Sequence, residues 1–506
     1  MTSRRWILAA TILGSSMAFI DGTVVNVALP AIQADLRATL VDVQWVVEAY
    51  ALFLAALLLA GGSLGDRFGR RRVFMLGTAM FAGASVWCGL APDIRHLIAA
   101  RAAQGIGGAL LVPGSLAILS ASFSEGDRGR AIGTWSAFTS ITAAAGPVLG
   151  GWLIDHLAWR WAFFLNVPIA AAVLLISAAK VPESRDERAR GAIDWPGALL
   201  ATLGLGGVVF ALIESSELHW RHPAVLGSLG GGLLFLAAFG VVERRVREPM
   251  VPLDLFRSRD FSGANLLTLF LYAALSGVLF FLPLDLIQVQ GYTAAAAGAS
   301  MLPFILLMFL LSRWSGGLFD RIGAKIPLVA GPAVAGAGFV LLALPGRGGS
   351  YWTTFFPAMA VLGLGMAVTV APLTTTVMSS VERRHSGAAS GINNAVSRTA
   401  GLLAVAVFSV VMLSTFERRL DEGLRTSGVT PQLRTAIESQ SSRLAALSIP
   451  PAASVADRER VRGTVASAFV AGFRRVILLG AALALIASGT ALVLIGRPRR
   501  RAPKRH

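Results

Sequence analysis

Asp21, Glu48, Arg101 and Arg398 each stand inside a long apolar run of this chain. A charged side chain is costly in hydrocarbon, so such residues are kept where they pair, line a water-filled path or carry an ion. A carboxyl group in that setting can take up and release a proton, and a nearby guanidinium can compensate it or meet an acidic cargo. The chemistry on offer is proton exchange and ion pairing. Asp285 and Arg313 fall nearer the ends of their runs and read as interfacial.

Other chemistries find no residues to run them. A phosphate-binding loop needs Gly-Lys followed by Ser or Thr, whereas Lys180, Lys325 and Lys504 follow Ala179, Ala324 and Pro503. His96, His156, His219, His222, His385 and His506 lie in connections or at run ends, so no paired metal ligands are expected on one helix. No metal, no cofactor and no enzyme activity are expected, and a membrane-embedded enzyme is the remote alternative. Cys88 is alone, inside an apolar run, and reads as a packing residue. The formal charge of +17 does not indicate nucleic acid, because the arginines sit at the ends of apolar runs instead of on one basic module.

The elements that position these residues must cross a bilayer. With 55% hydrophobic and 14% charged residues in 506, the chain reads as an all-α integral membrane protein. A crossing takes about 20 apolar residues. Spans are expected at 7–30, 44–64, 73–91, 97–122, 131–153, 162–180, 193–213, 224–242, 262–288, 294–315, 326–345, 353–378, 387–413 and 472–496, fourteen in all. Alternate connections carry Arg67, Arg70, Arg71 and Arg72; Arg128 and Arg130; Lys180, Arg185, Arg188 and Arg190; Arg244, Arg245, Arg247, Arg257 and Arg259; Arg321 and Lys325; Arg383 and Arg384. The others offer Arg37, Arg95, Arg160, Arg221 and Arg347. That bias puts both termini in the cytoplasm of a multi-pass cytoplasmic (inner) membrane protein, and the basic tail RPRRRAPKRH suits an anionic inner leaflet. Arg4 and Arg5 precede a run that continues past Phe19, which reads as a first membrane helix and not a cleaved signal.

Between the second and third spans lies GSLGDRFGRRR, Gly62 to Arg72. Through Gly62, Leu64, Gly65, Asp66, Arg67, Gly69, Arg70 and Arg71 it resembles the loop motif of the major facilitator superfamily. GGLFDRIGAK at 316–325 repeats it, with Asp320 and Arg321 in register with Asp66 and Arg67. Two similar halves follow: an N-terminal six-helix bundle at 1–184, two inserted central helices at 185–260, and a C-terminal six-helix bundle at 261–506 that includes a long outer loop at 415–471. This fourteen-helix arrangement resembles the drug:proton antiporter branch. Amphipathic stretches at 432–447 and 455–470 suggest surface helices over the outer mouth or a partner site, with a plain solvated loop as the competing reading.

The resemblance extends to the sites. FIDGTVVNVALP, with Asp21 and Asn26, resembles the first-helix motif of that branch, which implies a coupling or substrate-binding role for Asp21; a structural pairing is the competing reading. RAAQGIGGA puts Arg101 at the arginine of a fourth-helix motif linked to proton transfer. At ~1.5 Å per residue, Asp21 stands about 21 Å into its helix and Arg101 and Glu48 about 6 Å from the opposite face. In a core about 30 Å thick the three share one level, so a cluster of Asp21, Glu48 and Arg101 is expected. Gly146, Pro147, Gly150 and Gly151 resemble the fifth-helix antiporter motif, with Thr142 in place of its leading glycine; a generic kinked packing helix would look similar. The string WRWAFFLNVP, Trp159 to Pro168, also resembles this branch. Asn393, Asn394 and Arg398 in SGINNAVSRTAG resemble a thirteenth-helix string and are expected to face the substrate cavity. For gating, Asp66 is expected against the N-terminal end of a helix from the other half, and Arg70 beside Asp127. The implied function is proton-coupled export of drugs or other amphiphilic, preferentially cationic, small molecules. Transport of one specific metabolite is the alternative. A monomer is expected, with the outer loop open to an adaptor protein.

Overall fold

The computed structural model describes residues 2–123, 125–185, 194–246, 249–382 and 386–496. Arg188, Arg190, Arg247, Arg383, Arg384 and the basic tail lie outside the described residues, as do the side chains of Arg128, Arg130, Arg313, Asp320 and Arg321. The first half comprises α1 (Thr2–Asp35), α2 (Leu40–Phe68), α3 (Arg70–Leu90), α4 (Ile94–Ser122), α5 (Glu125–His156), and the short α6 (Trp161–Phe164) running into α7 (Asn166–Lys180). An inserted pair follows, α8 (Trp195–Leu218) and α9 (Pro223–Arg245). The second half is α10 (Arg259–Leu284), α11 (Ala294–Ala299), α12 (Leu302–Ile322), α13 (Lys325–Leu342), α14 (Tyr351–Ser379), α15 (Ser386–Thr426), α16 (Pro431–Glu438) and α17 (Val455–Leu494). Among the described residues, 13 helical segments are long and apolar enough to cross a membrane, and α5, with 32 residues, is the fourteenth by length.

Local chemistry sets the helix ends. Thr39 and Asp42 form a reciprocal capping box at the start of α2, with bonds of 3.2 and 2.8 Å. The α2–α3 turn passes through Gly69 at φ +112°, and the repeated turn between α12 and α13 passes through Gly323 at φ +76°. Both positions fall in the region where a side chain is strained, which is why the repeat keeps glycine there.

Glycines also let the helices approach. A Cβ on Gly61 would run into the carbonyl of Ala109, and one on Gly105 into that of Tyr50, so α2 and α4 meet backbone to backbone. Gly77 does the same for α3 against α4, and Gly331, one repeat later, for α13 against α14. The inserted α8 packs on both α2 and α15, while α9 packs chiefly on α8. Leu226, Leu233, Leu234 and Val241 of α9 stay exposed, as suits the outermost helix of a membrane protein.

The up-and-down order brings both ends of the described chain to one side, here called proximal. There Arg4 pairs with Asp127 at the start of α5 (2.9 Å), and the Gly496 amide donates to Asp260 at the start of α10 (2.7 Å). At the opposite, distal side the two halves are bonded together. Gln288 donates to Gln33 (2.8 Å), Gln33 to the Arg443 carbonyl (3.2 Å), and Gln44 to the Val405 carbonyl (3.4 Å).

The stretch 415–471 is largely helical, in line with the amphipathic stretches at 432–447 and 455–470 and against the competing reading of a plain solvated loop. α15 continues unbroken to Thr426, α17 begins at Val455, and α16 with the 3-10 turn Ser441–Ala446 folds between them. Leu433, Ile437 and Leu444 are buried beneath this cap. Its charged face carries Arg434, paired with Asp421 and Glu438.

Candidate functional site

Asp21 lies in the middle of α1 with 1% exposure, and four helices supply its surroundings. Arg101 Nη1 donates to its Oδ2 at 2.6 Å, while Gln104 Nε2 and Asn166 Nδ2 donate to Oδ1 at 2.8 and 3.0 Å. Ser85 on α3 accepts from both amides, at 2.9 and 3.2 Å. Arg101 Nε reaches the Val46 carbonyl at 2.9 Å, and its guanidinium lies 4.3 Å from the centre of the Tyr50 ring. A buried ion pair survives when its remaining donors and acceptors find partners, and here both oxygens of Asp21 and the Nε and Nη1 of Arg101 have them. The network clamps α1, α2, α3, α4 and α7 together.

Glu48 does not join it. The expected three-membered charge cluster is a pair, and among the described residues Glu48 makes no ion pair with Arg101. The reason is helical phase. Glu48 shares a face of α2 with Val41, Leu52 and Ala55, which pack on Leu402 and Ala406 of α15 and on Val209 and Ile213 of α8. Equal depth brings two residues to one level but does not turn them toward each other. Glu48 is 1% exposed, and its Oε2 is buried without a partner among the described residues. It therefore sits in the seam between the two halves.

Across that seam, Arg398 of α15 is partly buried, lies within electrostatic range of Tyr50, and makes no ion pair among the described residues. Its neighbours in sequence are otherwise engaged. Asn393 donates to Thr268 (2.7 Å) and Asn265 (3.2 Å) of α10, which ties it into the C-terminal bundle. Asn394 is exposed and donates to the Ser390 carbonyl of its own helix (3.1 Å). Asn26 likewise bonds back to the Gly22 carbonyl (3.3 Å).

At the proximal side the motif loop is bonded within itself and to the segment that follows α7. Arg70 pairs with Asp66 (2.7 Å), and Asp127 with Arg4, so the expected Arg70–Asp127 pair is replaced. An i, i+4 partner across one turn is reached with less ordering than a residue on another helix. Glu183 accepts from the Arg71 and Arg72 amides (3.0 and 3.3 Å), which caps the start of α3. Arg67 stacks on Phe68. Gly62 has Pro113 as its near neighbour, and the tightest approach belongs to the preceding Gly61.

The fifth-helix glycines serve two contacts. Gly146 and Gly150 lie on Thr23 and Val24 of α1, one turn from Asp21, whereas Gly151 meets the Ala294 carbonyl of the other half. Pro147 offers its carbonyl to Gly298 of α11 in the same close approach. Sequence reasoning passed over Gln104, Asn166 and Ser85 as partners of Asp21. Two of them stood inside quoted strings, RAAQGIGGA and WRWAFFLNVP, but nothing in one sequence says which polar side chains turn inward.

Comparison with known proteins agrees with this architecture. The family model of the Major Facilitator Superfamily matches residues 11–405. The chain is 36% identical over 428 residues to the multidrug resistance protein Stp of Mycobacterium tuberculosis, covering 84% of this chain and 79% of that protein. It is 33% identical over 513 residues to the tetracenomycin C resistance and export protein of Streptomyces glaucescens, covering 100% and 94%, and 35% identical over 412 residues to the puromycin resistance protein pur8 of Streptomyces alboniger, covering 81% and 82%. Among solved structures, a bacterial homologue of the human lysosomal transporter Spinster in an inward-facing, occupied conformation superposes with a TM-score of 0.68 at 17% identity, covering 98% and 97% of the two chains. With two six-helix halves, a repeated glycine turn and a family match over most of its length, this chain belongs to the Major Facilitator Superfamily of membrane transporters.

Proposed function

We propose that the chain is a proton-coupled antiporter that exports amphiphilic small molecules, drugs among them, across the cytoplasmic membrane by alternating access. The observation that carries this reading is Glu48: a buried carboxyl with a free oxygen, set in the seam where the two halves must part. Asp21 has its charge compensated by Arg101 and so acts as a positioning residue. The proximal side carries Arg67, Arg70, Arg71 and Arg72, which makes it the cytoplasmic side under the positive-inside rule. Cargo then enters from the cytoplasm while the distal contacts hold the outer end shut. In this state a cationic cargo displaces the Glu48 proton toward the cytoplasm; when the halves rock, the α2–α15 face separates on the distal side, the cargo leaves, and a proton from the outer water reloads Glu48. The resistance and export roles in the names of the relatives support the drug-efflux direction.

A second reading concerns charge preference. Arg398, without a counter-ion among the described residues, favours an acidic cargo over a cationic one. Both readings are tested in inverted membrane vesicles by following substrate accumulation and substrate-induced proton release over a panel of cationic and anionic dyes. Glu48→Gln is expected to abolish proton release and to weaken cationic dyes alone, and Arg398→Gln to weaken anionic dyes alone. Intact coupling in Glu48→Gln with loss in Asp21→Asn would move the proton-carrying role to Asp21.

A further inference from the structure

Asp285 reads from the sequence as an interfacial residue, because it falls close to the end of its apolar run. The structure buries it to 1% exposure at the start of a π-helical turn, Asp285–Val289, that closes α10. Such turns concentrate at functional positions because they break the regular helical bonding. Asp285 Oδ2 accepts from Gln290 Nε2 at 3.3 Å, while Oδ1 is buried with no partner among the described residues. The residue lines a cavity of ≈ 10 Å³, shared with Gln290, Ala343, Phe355, Phe473 and Arg474. That is room for about one water. Arg474 directs its Nε to the Ala343 carbonyl at 2.8 Å and makes no ion pair with Asp285 among the described residues. Gln290 is fixed in turn by the Gly346 carbonyl and the Gly348 amide, each at 2.9 Å.

A buried carboxyl with one oxygen unmet beside a water-sized space is built to take a proton, because neutralisation removes the desolvation penalty and supplies the missing polar hydrogen. We propose that Asp285 is a second proton-binding site, in the C-terminal half, loaded and emptied through the distal end. The O–H bond forms on Oδ1 with a proton passed from hydronium in the distal bulk water through one water that the cavity has room for, each donor reverting to neutral water, and emptying runs the same relay in reverse. The inference rests on the proton-coupled reading above and extends it to a second group. Access is tied to the gate: the π-helical turn is joined to the first half by Gln288 and Gln33 (2.8 Å), and Gln33 also holds the cap through the Arg443 carbonyl. Parting of the halves at that end breaks both bonds and opens the turn. The titratable and charged groups around the site are Arg474 of α17, Tyr292 after the turn, Arg443 of the cap, Arg347 of the α13–α14 connection and Tyr351 at the start of α14.

The test is infrared pH-difference spectroscopy on the full-length protein in lipid nanodiscs, reading the C=O stretch of protonated carboxyl groups. Asp285→Asn is expected to remove one titrating band that Glu48→Gln retains. Should Asp285→Asn fail to fold, Asp285→Glu, which carries the same group one methylene further out, must move that band in frequency. Survival of every band unchanged in a folded Asp285→Asn, an unmoved band in Asp285→Glu, or displacement of the band by sodium at constant pH would overturn the proposal. A wild-type protein whose Asp285 band titrates but whose transport ignores a pH gradient would sink the antiport reading and leave this site standing.

Discussion

Both carboxylate oxygens of Asp155, at the end of α5, accept backbone hydrogen bonds from the opposite half: Ala294 N at 3.0 Å and Ala295 N at 2.8 Å. These are the first amides of α11, which its own helix cannot satisfy. One side chain of the N-terminal half thus caps a helix of the C-terminal half, and the cap exists only while the distal end is closed. Replacing a capping carboxylate removes about 1–2 kcal/mol. Asp155→Ala is therefore expected to shift the balance toward the distally open state by roughly five- to thirty-fold. Spin-label distances across the distal end measure it, and an unchanged distribution would show that the cap does not hold the gate.

Next to this cap, Gly151 lies against the Ala294 carbonyl with no room for a methyl group. Gly151→Ala should force the halves apart at the distal end, whereas Gly146→Ala should disturb only α5 against α1 and Thr23. The two variants separate by cysteine cross-linking across the distal seam: cross-linking falls in the first and persists in the second.

Removing one member of the Asp21–Arg101 pair leaves a buried charge without its partner, at a penalty of about 3–5 kcal/mol. Arg101→Met should lower the thermal unfolding temperature more than the double change Asp21→Leu with Arg101→Met, which removes both charges. A double-mutant cycle on detergent-solubilised protein checks the sign. Additive losses would mean that the pair is not coupled.

Asp66 is bonded to Arg70 in the state seen, in which the halves are joined distally. In the proximally closed state Asp66 is expected to leave Arg70 for the start of a helix in the other half. Asp66→Asn should then slow turnover several-fold while substrate affinity stays within about a factor of two. Equal losses in both, measured by dye binding and by transport, would rule out a gating role.

Much of this could be read from residue order alone. Apolar runs of crossing length, arginines on alternate connections and the repeated glycine-aspartate-arginine turn dictate an even number of membrane helices in two similar halves, because hydrocarbon admits neither charge nor an unsatisfied backbone. The same reading singled out Asp21, Glu48 and Arg101 as ionisable groups too deep to be incidental. It could not say which of them meet. Depth along a helix follows from counting residues, but the direction a side chain takes around the helix is fixed by what packs there. Packing turned Asp21 toward Arg101, Gln104 and Asn166 and left Glu48 facing α15. Amphipathic spacing suggested helices at 432–447 and 455–470 but not how they fold into the cap, which Leu433, Ile437 and Leu444 hold against partners distant in sequence. The Asp155 cap on α11 had no trace in the sequence, since its acceptor and its donors come from different halves and become neighbours only when those halves close.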